Sequence, residues 1–264
     1  MTASTALYIV EGAVGLIVLI RTLRLIGTGV RSMMVVFFLF AMITFLVNNT
    51  YWIAYDLMLP DVRMPLSADE LGEAAFMLLF ASALGNAIPP NEVPFKKQAV
   101  AAILFSAASV ALWIGWSGEW VQDIVGGIAY CYFLCVILRC AKQIGAYSRR
   151  EWIAMAWAFT ATIVLQAACF HIPASVRVFT EIAAYILMFT MLVWLMVKAI
   201  AAFRSRNDPK VCLALAFTAN MWVTTVVYMS AGVWYLFATV ATCVALLLMS
   251  SAVRAAVRAE VSAE

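Results

Sequence analysis

Apolar stretches long enough to cross a membrane recur along the whole chain, separated by short polar segments. A helix needs about 20 residues to cross the roughly 30 Å of bilayer hydrocarbon. By this criterion the pattern predicts nine transmembrane helices, with ends placed to within about 2–4 residues. The predicted spans are residues 5–26, 31–58, 68–88, 95–116, 119–144, 149–171, 174–204, 209–230 and 233–257.

Several predicted spans begin with residues that are typical of helix ends. Residues 67–70 and 148–151 both have the form Ser-x-x-Glu, a capping box whose side chains accept the free N–H groups of a first turn. Asp208-Pro209 offers an N-cap followed by proline at the first helical position. The stretch 211–253 is too long for one span and is interrupted only at 230–232, where we expect the chain to reverse.

The composition narrows the class of protein. Hydrophobic residues make up 66% of the chain, charged residues only 12%, and the mean hydropathy is +0.99. Soluble globular proteins are about 45–50% apolar. These values exclude a disordered chain, a collagen, a disulfide-stabilised miniprotein and a nucleic-acid-binding module. We therefore predict an all-α, polytopic transmembrane bundle, formed by residues 1–264 as a single domain that has the lipid bilayer as a partner.

The basic residues predict how the bundle is oriented. If the loop after the first span is cytoplasmic and the spans alternate, fifteen of the seventeen lysines and arginines face the cytoplasm. Only Arg63 and Arg177 then lie outside, which is a strong positive-inside asymmetry. We expect an integral, multi-pass protein of the plasma (cytoplasmic) membrane with its N-terminus outside and its C-terminus inside. The fourth span is rich in alanine and serine, so we expect it at the crowded centre of the bundle.

Acidic residues gather at the opposite, outer side, and two of them lie deep enough to need an explanation. Glu11 and Glu181 each lie about two helical turns into a span, where a charge is expensive. Such carboxylates usually face a bundle interior, a water-filled pocket or a basic partner. A structural ion pair and a protonated, hydrogen-bonded acid are the alternatives. Glu73 is intermediate, about 9 Å along its helix.

The outer end of the second span carries the richest group of polar and aromatic residues. Asn48, Trp52 and Tyr55 share one helical face, and Asn49 lies on the adjoining one. Amides within an apolar helix need partners, because hydrocarbon holds no water to bind them. An interfacial aromatic belt and interhelical hydrogen bonds are the alternative explanation. The predicted ligand-binding residues are Glu11, Asn48, Asn49, Trp52, Tyr55, Glu73, Glu181 and Tyr185.

An acidic rim with tryptophan and tyrosine side chains suits an organic cation. We therefore expect a sensor or receptor that binds a small cationic or amphipathic ligand from outside. The helix-favouring tail at residues 250–260 would signal to a cytoplasmic partner or to a second copy of the chain. The alternative is a small-solute transporter, proton-coupled through Glu11 and Glu181. We expect no catalytic residues, metal or cofactor, because the sequence lacks a nucleophile motif, a nucleotide-binding motif and a Cys/His cluster. An enzyme is therefore the weakest interpretation.

Overall fold

The computed structural model describes residues 3–27, 32–58, 68–91, 93–205 and 208–262. Within these ranges the chain forms nine helices and no strands. The helices are α1 (Ala3–Gly27), α2 (Met33–Met58), α3 (Ala68–Ala87), α4 (Lys96–Ser117), α5 (Trp120–Gln143), α6 (Arg149–Ala168), α7 (Ala174–Arg204), α8 (Pro209–Tyr228) and α9 (Val233–Val261). Each helix coincides with one predicted span, and no end differs by more than four residues.

The architecture is an all-α bundle that fits a multi-pass membrane protein. Eight of the helices in the described ranges are long and apolar enough to cross a membrane. The exception is α3, whose first six residues include three acids, Asp69, Glu70 and Glu73. Its 20 residues nevertheless extend about 30 Å, the thickness of the hydrocarbon.

The predicted helix ends are confirmed where the structure describes them. Ser148 and Glu151 form the capping box at the start of α6, each side chain accepting from the other residue's backbone N–H. The side chain of Asp208 caps α8 by accepting from the Lys210 N–H at 2.8 Å. The chain reverses between α8 and α9 at Gly232, whose φ of 57° lies in the left-handed region that glycine tolerates. The other predicted capping box begins at Ser67, outside the described residues.

Eight of the nine described helices form a closed ring, and the remaining helix, α8, lies inside it. Neighbouring contacts run α1–α2–α3–α5–α4–α6–α7–α9 and back to α1. Helix α8 lies inside this ring, where it contacts α3, α5, α7 and α9. Fourteen of its twenty residues are buried, including Trp222, whose indole N–H donates to the Met188 carbonyl on α7 at 2.8 Å. The centre of the bundle is therefore α8.

The prediction that the fourth span lies at the centre is wrong. Helix α4 packs against α5 and α6 on the ring, and only five of its twenty-two residues are buried. Its outer face carries Val100, Ile103 and Leu104, each more than half exposed and suited to lipid. The close approach of α4 and α5 comes from a small residue on α5, Gly127, which packs against Val110 of α4. Such a contact brings two helices together without enclosing either.

Ionisable residues divide between the two ends of the bundle. The acidic end comprises the beginnings of the odd-numbered helices and the ends of the even-numbered ones, and it holds Glu11, Asp56, Glu73, Asp123 and Glu181. The opposite, basic end holds thirteen of the fourteen lysines and arginines among the described residues. The exception is Arg177. The charge separation on which the orientation was predicted therefore exists in the folded chain.

Candidate ligand-binding site

A cavity of about 480 Å³ opens within the acidic end of the bundle. It lies between α1, α2, α3, α8 and α9, and extends inward to Asn220, eight residues before the end of α8. That position is about 12 Å along the helix from its end. The volume falls within the range of about 300–1,000 Å³ that is typical of small-molecule sites.

Two glutamates bring negative charge to this cavity. Glu11 on α1 is only 6% exposed, and its carboxyl lies beside the hydroxyl of Thr239 on α9. Glu73 on α3 accepts a hydrogen bond from the hydroxyl of Tyr228 on α8. No lysine, arginine or histidine is among the described residues that line the cavity. The electrostatic potential within the cavity is therefore negative whenever either acid is ionised.

Three asparagines contribute amides with unused hydrogen-bonding capacity. Asn48 and Asn49 are consecutive on α2, and Asn220 projects from the central helix α8. Within the described chain, the side-chain oxygens of Asn48 and Asn49 and the side-chain nitrogen of Asn220 have no hydrogen-bond partner. Asn49 is 6% exposed and Asn220 only 2%. Buried amides left unpaired cost free energy, so these groups are suited to a polar ligand or to water.

Aromatic rings form the wall on the α1 side of the cavity. Tyr8 stacks on Trp52 with ring centroids 5.9 Å apart and meets Tyr235 edge-on at 6.3 Å. These three residues join α1 to α2 and to α9 across the cavity mouth. The carboxylates of Glu11 and Glu73 both lie within electrostatic range of the Tyr8 ring. Aromatic faces beside carboxylates form the environment in which cation–π and Coulomb attraction act together.

A second chamber of about 320 Å³ adjoins the first. Trp52, Glu73 and Tyr228 line both chambers, so these three side chains form the wall between them. The second chamber extends to α4 and α5, where the Trp113 ring lies 4.9 Å from that of Tyr228. There the Asp123 carboxylate accepts from the Ser117 hydroxyl at 2.5 Å.

Packed phenylalanines close the inner end of the cavity. Phe76, which lines it, lies 4.2 Å from the ring of Phe80. Phe80 in turn contacts Phe38 at 5.5 Å and Phe217 at 5.6 Å, and all three of these rings are fully buried. The cavity is therefore blind: it opens toward the acidic end and is sealed from the basic end by aromatic packing.

The structure brings five of the eight predicted site residues into this cavity. Glu11, Asn48, Asn49, Trp52 and Glu73 all line it. Tyr55 is not among the lining residues and lies beside Trp52, with ring centroids 5.9 Å apart.

The structure does not place Glu181 in the cavity that Glu11 lines. Glu181 on α7 forms a salt bridge of 2.7 Å with Arg177, one helical turn before it, and its side chain is 37% exposed. Tyr185 stacks on Trp234 at 4.7 Å, and neither it nor Glu181 lines the cavity. The central helix α8, and not α7, borders the cavity. Of the interpretations of Glu181 given above, the structure contains the structural ion pair.

Residues missed by the sequence analysis come from both ends of the chain. Tyr8 carried no pattern that marked it as a site residue. Asn220, Tyr228 and Tyr235 also line the cavity, and none of them is among the predicted site residues. Their spacing along α8 and α9 could have indicated a polar face, but the pairing of α9 with α1 is a tertiary contact that no local pattern encodes.

Comparisons of the chain with protein-family models, with curated proteins and with solved structures find no match. The function must therefore be inferred from the site itself. Among the described residues, no three His, Cys, Asp or Glu side chains converge as metal ligands. The cavity offers two carboxylates, stacked aromatic rings and unpaired amides in a space large enough for a small molecule.

Proposed function

We propose that this chain is a multi-pass sensor of the plasma membrane that binds a small organic cation in the cavity at its acidic end. The observation that carries the proposal is the composition of that cavity. It combines the buried Glu11, Glu73 and the stacked Tyr8 and Trp52, and no basic side chain lines it among the described residues. Charge attraction and cation–π contact both favour a cation there.

The placement of basic residues supports access from outside. Cytoplasmic ends of membrane helices are enriched in lysine and arginine. The cavity opens at the opposite end from those residues, so this rule assigns its mouth to the outer surface. A ligand would enter from outside and stop at the phenylalanines Phe76 and Phe80.

A route for a signal is supported by the pairing of α1 with α9. At the cavity, Tyr8 and Tyr235 hold the two helices together. At the basic end Arg21 of α1 lies close to Arg254 of α9. Helix α9 continues beyond them to Val261. A ligand that moves Tyr8 relative to Tyr235 would shift this pair along its length, and the basic end would present the change to a cytoplasmic partner or a second copy.

Binding of n-butylammonium to the purified full chain in lipid nanodiscs tests the cation site. We expect Glu11→Gln to weaken binding about tenfold or more, because a buried charge-assisted hydrogen bond contributes about 1.5–3 kcal/mol. Glu181→Gln is the matched control, since it makes the same change outside the cavity, and it should bind as the wild type does. Equal binding by all three proteins, or loss of binding in Glu181→Gln alone, would contradict the proposal.

A proton-coupled transporter is the second candidate, and one observation favours it. Glu11 is buried at the cavity and forms no salt bridge with a described basic residue, so its carboxyl can gain and lose a proton. Glu181 is paired with Arg177 and does not serve this role. Proteoliposomes that hold a pH-sensitive dye separate the candidates when they are compared with protein-free liposomes, into which the neutral amine diffuses unaided. A transporter gives an additional proton movement when n-butylammonium is added outside, and a sensor gives the same dye response as the protein-free liposomes.

A further inference from the structure

The three cavity asparagines distinguish between two kinds of organic cation. A quaternary ammonium presents only methyl groups, whereas a protonated primary amine presents three N–H donors. Both are attracted by carboxylates and by aromatic rings. They differ in whether they can donate hydrogen bonds to the buried amide oxygens.

The amide oxygens of Asn48 and Asn49 are the deciding groups. Both residues line the cavity, neither oxygen has a hydrogen-bond partner within the described chain, and Asn49 is more than nine-tenths buried. The neighbouring residue on α3 is Gly72, and a Cβ there would lie 3.4 Å from the Asn48 oxygen. The missing side chain keeps that oxygen open to the cavity.

With the Glu11 carboxylate, these two oxygens supply three acceptors, which is the number of donors on a primary ammonium group. A quaternary ammonium would exclude water from the amides and leave them unpaired, which costs free energy in a buried site. Resting on the proposed cation site, we infer that the cavity is selective for protonated primary amines over quaternary ammonium ions. Asn48 and Asn49 are then the specificity-determining residues.

A methylation series tests the inference on the wild-type protein. The four probes are n-butylamine and its N-methyl, N,N-dimethyl and N,N,N-trimethyl derivatives. All carry one positive charge at pH 7, since the three amines are protonated there as lysine is and the trimethyl compound has a fixed charge. We expect the affinity to fall as N–H groups are lost, by about tenfold or more from the first probe to the last. Equal or tighter binding of the trimethyl compound overturns the inference but leaves the cation site intact. Failure of all four to bind overturns the cation site itself.

Substitution of one amide locates the selectivity. Asn49→Leu removes the buried amide at similar volume, and the ratio of primary to quaternary affinity should fall severalfold, because Asn48 and Glu11 still accept hydrogen bonds from the primary amine. Asn86→Leu makes the same change on α3 at an exposed residue outside the cavity, and it should keep the wild-type ratio. A wild-type ratio in a folded Asn49→Leu protein overturns the role of Asn49. If that variant does not fold, Asn48→Leu at the half-buried neighbouring position gives the same test.

Discussion

Two adjacent glycines on α5 give the sharpest test of the packing. Gly127 faces α4, where an added Cβ would lie 2.1 Å from Cγ2 of Val110. At Gly126 an added Cβ would meet nothing within 4 Å. Gly127→Ala and Gly126→Ala are therefore the same substitution, one residue apart on one helix, and they differ in a single contact.

The size of the difference follows from that contact. Carbon atoms pack at about 3.5–4.0 Å, so either α4 must move away or Val110 must rotate. Valine is restricted at χ1 in a helix and cannot rotate freely. Overpacking of this kind costs about 1–3 kcal/mol. The gain in helix propensity from glycine to alanine applies to both variants and cancels in the comparison. We expect Gly127→Ala to be about 2 kcal/mol less stable than Gly126→Ala.

Unfolding in mixed micelles by titration with SDS, followed by circular dichroism, measures this difference. The double variant Gly127→Ala/Val110→Ala removes the clashing methyl groups and should recover most of the lost stability. Equal stability of the two glycine variants would refute the close contact between α4 and α5. Failure of the second substitution to restore stability would place the strain elsewhere than at Val110.

Two further substitutions test the core with the same unfolding assay. Phe80→Ala leaves a void of about 100 Å³ beneath the cavity. Because lipid is as apolar as the core, only the lost packing destabilises this variant, by about 2–3 kcal/mol. Phe179→Ala is the control, since this residue is 73% exposed and its substitution should change stability by less than about 0.5 kcal/mol. Trp222→Phe removes the hydrogen bond to the Met188 carbonyl and part of a fully buried ring, so it should cost about 2 kcal/mol. Wild-type stability in either core variant would contradict the packing described for α8 and its neighbours.

Helix positions were predictable because each depends on local sequence. The nine spans, the cap at Ser148 and the reversal at Gly232 all follow from hydrophobic length and from the chemistry of helix ends. The arrangement of the helices was not predictable in the same way. Lipid tails are as apolar as a protein core, so hydropathy does not distinguish the exposed face of α4 from the enclosed surface of α8. This is why the wrong helix was assigned to the centre.

The candidate site was predictable only in part, for related reasons. Glu11 and the Asn48–Trp52 segment stood out because polar groups are costly in apolar helices unless they face a polar partner or a cavity. The same argument misled at Glu181, although Arg177 lies four residues before it, a spacing at which opposite charges pair on a helix. Tyr8 and Tyr235 are far apart in sequence, and only the contact between α1 and α9 brings them together.

The enclosure of α8 constrains how the molecule is assembled during synthesis. Ribosomes deliver helices in sequence order, yet the element that fills the middle is the eighth, and the ring is closed by contact between the first helix and the ninth. Until α8 and α9 have been made, helices α1 to α7 lack both the helix that fills the interior and the one that closes the ring. The candidate cavity, which is lined by residues of α1, α8 and α9 together, is completed only after α9 has been inserted.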